Sequence, residues 1–182
     1  IFFFFLDIPT TVKNIAVAAG HFETYVDPII PSISYFSTPE LMEPLKHTVK
    51  FLHKCYQFYE EYLRAKFPYK CFSMVFVGNS YTKLSSCATL AIMSSQLLHD
   101  PSIIDKTIKS RWLLSLAVAI QWFGNYIGIK SWSDMWLRFG LSSHLAGLFF
   151  QRMFGQQEYR LRQYKVKCDI TSTFNHMLTA VV

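Results

Sequence analysis

The chain has 182 residues, enough for one domain or a domain with an appendage. Its 51% hydrophobic content against 16% charged residues is apolar for a solvated monomer, so much of its surface is expected to meet other protein. Its net charge of +6 lies in the second half, because residues 1–100 hold eight Lys/Arg and eight Asp/Glu, and residues 101–182 hold ten and four. That excess suits an acidic partner, a nucleic-acid backbone or simply a solvated basic face.

Four short runs open the chain: Phe2–Phe5, Ile15–Ala19, Phe22–Val26 and Ile29–Ile33. Pro9, Asn14, Gly20, Pro28 and Pro31 punctuate them, so they read as strands at the end of a β-rich region. With Ile1 in place of Met and an apolar Val181-Val182 terminus, the chain reads as a fragment, expected not to fold well alone. Thr38-Pro39-Glu40 then offers a capping hydroxyl, a proline at the first helical position and an acid in the first turn. Leu41, Leu45, Val49, Leu52, Tyr56, Tyr59 and Leu63 follow at steps of three or four, which predicts one long core helix running to about Lys66. Cys71–Val77 reads as a buried strand turned by Gly78-Asn79-Ser80. Leu84–Leu98 reads either as a helix or as an edge strand running into one.

After Asp100-Pro101, a helix is expected from Asp105–Ile108 through Trp112 and Ile120 to Asn125 or beyond. A second starts at Ser133-Asp134 and runs through Arg138, with Gly140 near a turn. A third covers Leu141–Phe154 and ends at Gly155. Gln157–Lys167 is expected to be a basic helix, and the pattern fades after Cys168. Trp112–Ile129 is 18 residues without a charge, which raises a membrane-embedded alternative. Ser115, Gln121, Asn125 and two glycines argue for a buried soluble helix instead.

The chemistry-bearing patterns are few. Cys55, Cys71, Cys87 and Cys168 form no C-x-x-C pair, against a four-cysteine zinc site, and length and apolarity argue against a disulfide framework. Reduced thiols of an intracellular protein are expected. No two of the six histidines stand at i, i+4, and neither a G-x-S-x-G elbow nor a phosphate-binding glycine loop is present. The densest basic cluster is Arg152, Arg160, Arg162, Lys165 and Lys167, interleaved with Tyr159 and Tyr164. Phosphate contact or docking on an acidic partner fits it, as does a solvated helix.

Gln121-Trp-Phe-Gly-Asn125 and Trp132-Ser-Asp-Met-Trp-Leu137 are similar to the segment that follows the metal-binding histidine of the gluzincin aminopeptidases. Phe67-Pro-Tyr-Lys-Cys-Phe resembles their strand lead-in. That resemblance implies an α+β fold. Its main part would be a mainly α, thermolysin-like (gluzincin aminopeptidase-like) domain over residues 33–182, truncated. The end of a β-rich saddle domain would precede it over residues 1–32. It also implies where a zinc site would stand. In the H-E-x-x-H frame the two histidine positions hold Leu116 and Ile120, the general base holds Ala117, and the third ligand holds Phe139. The substrate-binding G-A-M-E-N motif falls on Thr82–Ser86 and lacks its glutamate. Leu, Ile and Phe carry no donor atom, and Ala cannot take a proton from water. The site is therefore expected to have become core, with Ile120 and Phe139 near each other and with no metal, cofactor or small-molecule substrate.

The resemblance is closer to a non-catalytic branch, the aminopeptidase-like subunits of the general transcription factor TFIID. It rests on Phe22-Glu-Thr-Tyr-Val-Asp-Pro28, Leu45-Lys-His-Thr-Val49, Tyr56–Tyr62, Leu97-Leu-His99, Ser131-Trp-Ser-Asp134 and Phe154-Gly-Gln-Gln-Glu-Tyr-Arg160. It implies a nuclear scaffold without enzyme activity that joins TBP and other TBP-associated factors near core-promoter DNA and not a membrane. A zinc peptidase with an unconventional site is the alternative of a different class.

Overall fold

The computed structural model describes residues 6–179, with side chains through Cys168. The expected strand at Phe2–Phe5 lies outside the described residues. The described chain divides after Ala146 into two compact units.

The first unit is organised on a five-stranded sheet in the order β1-β2-β3-β5-β4. Its strands are β1 (Glu23–Val26), β2 (Ile33–Ser37), β3 (Phe72–Val77), β4 (Leu84–Cys87) and β5 (Leu90–Ser94). β2, β3 and β5 are parallel, and the two edges, β1 and β4, are antiparallel to their neighbours. The sheet therefore includes β1, from before residue 33, and β2, which begins at it.

Two of the expected early strands do not form. Ile15–Ala19 is extended without a ladder partner, and Ile15 and Val17 face solvent. Ile29–Ile33 is mostly a turn. The buried Asp27 carboxylate accepts the N–H groups of Ile29 and Ile30 at 2.9 and 3.0 Å, and Tyr35 Oη donates to it at 3.1 Å. Such a side-chain–backbone turn competes with a ladder. The Tyr35 phenol is held well above the ordinary tyrosine range by burial first and by the Asp27 charge second.

The expected long helix is two: α1 (Met42–Val49) and α2 (Leu52–Leu63). Thr38 makes no side-chain cap; Pro39–Leu41 is a 3-10 turn. Between α1 and α2 the winding tightens, and Lys54 N donates to Phe51 O three residues back. The stripe itself forms the core: Leu45, Val49, Leu52, Tyr56 and Tyr59 are all buried. Burying each such side chain contributes about 1.5–3 kcal/mol. The chain leaves α2 through Arg64 in the left-handed region (φ 51°), short of Lys66.

Leu84–Leu98 resolves into a hairpin, β4 and β5, followed by a single 3-10 turn, Ser95–Leu97. Its tight connection puts Thr89 at φ 62°, an uncommon conformation for a β-branched residue. No Gly or Asn marks this turn in the sequence.

Helix α3 (Thr107–Ile120) lies against the sheet and α2, and its Ser115, Ala117, Val118 and Ala119 are completely buried. The chain then widens into a π-type winding, Gln121–Tyr126, broken at Phe123 and Gly124. Among the described residues no helix is long and apolar enough to cross a membrane. A 3-10 turn, Trp132–Asp134, leads into α4 (Met135–Phe154), which runs straight through Gly140 where a turn was expected. A lone glycine weakens a helix by about 1 kcal/mol without ending it.

In the second unit, Gly155 at φ +91° separates the end of α4 from α5 (Gln156–Thr179). Glycine is the residue that takes this conformation at least cost. The Tyr159 ring lies so near Gly147 that an added Cβ would stand 2.9 Å from it. Helix α5 continues past Cys168, where the sequence pattern fades.

Candidate functional site

The positions that the resemblance assigns to a ligand frame lie on the last turns of α3 and the first turns of α4. Ala117 is fully buried and Ile120 is 6% exposed, as the core reading requires. Leu116 is only half-buried and Phe139 is 54% exposed, so these two do not fill a core as expected. The residue before Phe139, Arg138, is half-buried, with its guanidinium carbon 5.8 Å from the centre of the Phe139 ring. Arg138 Nε and Ile120 Cγ2 both close on Gly124, where an added Cβ would stand 2.6 Å from the first and 2.9 Å from the second.

Zinc binding needs nitrogen, sulfur or carboxylate donors. None of the four frame positions supplies one, and among the described residues no three His, Cys, Asp or Glu side chains gather into a metal-holding group. The residues present do not fit the metal, and no catalytic step is derived through it.

What surrounds the frame is well built. Gln121 Nε2 donates to Ser86 Oγ (2.9 Å) and to Cys87 O (3.1 Å), and its Oε1 accepts from Thr89 N (3.3 Å). Asn125 Nδ2 reaches the same two acceptors at 3.1 and 2.8 Å. Both amides are buried, so they tie the π-type winding to the end of β4 and hold the strained Thr89 turn. Ser142 Oγ donates to Phe123 O (2.8 Å), satisfying a carbonyl freed where the helix breaks. Trp122 fills the space between α3 and α2, 5.0 Å from the Phe67 ring and 5.8 Å from that of Tyr59. Thr82 and Ser85, at the G-A-M-E-N positions, are exposed on and before the β4 edge.

Two features escaped the sequence. His47 and His99 come together with ring centroids 5.4 Å apart, edge to face. Thr48 Oγ1 accepts from His99 N at 3.2 Å, which locks α1 to the segment after β5. No pattern in the sequence links residues 52 apart this way. The second is Cys55, whose thiol is pushed up to about 12 by burial and drawn back partly by hydrogen bonds with Tyr59 and Ser115.

Iodoacetamide at pH 8 is therefore expected to label exposed Cys71 in the native protein and to leave Cys55 unmodified, read by peptide mass spectrometry. Because the folded thiol ionises higher than the free one, its contribution to stability is complete below pH 9 and is lost as pH rises towards 12. Rapid labelling of Cys55 at pH 8 would contradict this burial.

In the second unit, Arg152, Arg160, Lys165 and Lys167 are exposed and Arg162 is half-buried. Burial lowers the Arg162 guanidinium to about 10, with Glu158 acting the other way. Seven residues make nearly two turns, so Arg160 and Lys167 share one side of α5, and Arg162 and Lys165 share another. The cluster is thus spread around the helix.

Known proteins match this arrangement. The peptidase family M1 domain matches residues 47–179. Proteins named transcription initiation factor TFIID subunit 2 are similar over most of the chain. The Danio rerio protein is 43% identical over 86% of this chain, and the Drosophila melanogaster protein 43% over 87%. The chain spans 13% of the length of each. A puromycin-sensitive aminopeptidase of Caenorhabditis elegans is 28% identical over 63% of the chain and 12% of its own length. Aminopeptidase A of Legionella pneumophila, solved with aspartic acid, superposes with a TM-score of 0.67 at 16% identity. That match covers 78% of this chain and 17% of the aminopeptidase, and it shows the shared fold. With the M1 domain matched over residues 47–179, from the end of α1 through α2, β3–β5 and α3–α5, the chain belongs to peptidase family M1, and its relatives at 42–43% identity carry the name TFIID subunit 2.

Proposed function

We propose that the chain is part of a non-catalytic scaffold subunit of TFIID. In this reading it supports complex assembly and core-promoter recognition in RNA polymerase II initiation, in the nucleus. Its partners are TBP and other TBP-associated factors, with no cofactor, small-molecule substrate or membrane. One observation carries the reading: the frame keeps its architecture while every chemical position is vacated. Gln121, Trp122 and Asn125 hold the α3 end as a finished structure, whereas Leu116, Ala117, Ile120 and Phe139 offer no ligand and no base. The names of the relatives support it from another direction. Residues 1–32 are read as the end of a preceding β-rich saddle domain whose last strand, β1, joins the sheet of the thermolysin-like domain.

Arg152, Arg160, Arg162, Lys165 and Lys167 are assigned to contact with promoter phosphates or an acidic subunit. With the charges spread around α5, sequence-independent backbone contact fits better than readout of base edges.

The family membership and the likeness to a puromycin-sensitive aminopeptidase favour a second reading, a peptidase with an unconventional site. Zinc content and hydrolysis of alanine p-nitroanilide by the full-length protein separate the two. The scaffold reading expects no stoichiometric zinc and no turnover above a chelator-treated control. One zinc per chain with chelator-sensitive hydrolysis would overturn it.

A further inference from the structure

We draw no further inference here: the strongest candidate, the apolar surface patch that Trp132, Trp136 and Phe139 expose at and just before the start of α4, carries nothing because nothing in the structure shows what covers it.

Discussion

Trp122→Ala is expected to open the α3 end of the domain by about 3–5 kcal/mol, the range for emptying a buried aromatic site. The side chain is 3% exposed and sits in a cluster with Tyr56, Tyr59 and Phe67, with two of the three ring pairs nearly perpendicular. Edge-to-face pairs of this kind add about 0.5–1.5 kcal/mol to the area they bury. The neighbours come from α2 and from the segment before β3, so no single element can move in to close the void. Hydrogen exchange of the full-length protein reads the effect: amides of α3 should exchange about a hundredfold faster or more. Trp122→Phe should cost far less, because the indole N–H has no acceptor here and its loss leaves no new orphan. A change below about tenfold in Trp122→Ala would mean that the ring is not a keystone of this core.

Gly124→Val is the second large effect. A Cβ at this position would already stand 2.6 Å from Arg138 Nε and 2.9 Å from Ile120 Cγ2, and valine adds two methyl groups beyond it. Overpacking of this kind costs about 1–3 kcal/mol for a modest enlargement, and Gly124→Val should lie at the top of that range. The two clashes differ in kind. Arg138 arrives from α4, whereas Ile120 belongs to the helix that Gly124 ends. Removing the arginine in a Gly124→Val/Arg138→Ala double variant should therefore recover part of the loss and not all of it, a coupling that a double-mutant cycle measures. Additive costs would show that Arg138 does not close on Gly124.

Much of this fold is written in the sequence, and the misses have physical causes. The stripe from Leu45 to Tyr59 repeats at helix period, and its burial follows. What periodicity does not report is where winding tightens without losing its buried face, so α1 and α2 looked like one helix. The β4–β5 hairpin was obscured because its turn uses Thr89 at φ 62° where Gly or Asn would have announced it. That conformation is stabilised from 32 residues away by the Gln121 side chain, a contact no local window contains. Gly140 misled in the opposite direction, being a glycine that the helix simply absorbs.

At the candidate site, the lack of donor atoms at Leu116, Ala117, Ile120 and Phe139 is legible residue by residue, because a side chain without donor atoms cannot bind zinc anywhere. Their burial was not legible. The reading that Leu116 and Phe139 become core assumed that apolar residues fill the space of the metal. In the fold, Phe139 stays exposed, and the side chain that closes on Gly124 is that of Arg138, the residue before it. One residue along a helix is a rotation of about 100°, so a frame aligned to the residue says little about which neighbour faces in.

We propose that this M1 domain, with no donor atom at Leu116, Ala117, Ile120 or Phe139, serves assembly in place of catalysis. Affinity purification of the full-length protein from nuclear extract, with quantitative mass spectrometry of what co-elutes, tests it most directly. Near-stoichiometric recovery of TBP and other TFIID subunits, retained through moderate salt, is the expected result. Elution alone or with membrane proteins would contradict it, and would mean that the fold relationship had been taken for a functional one.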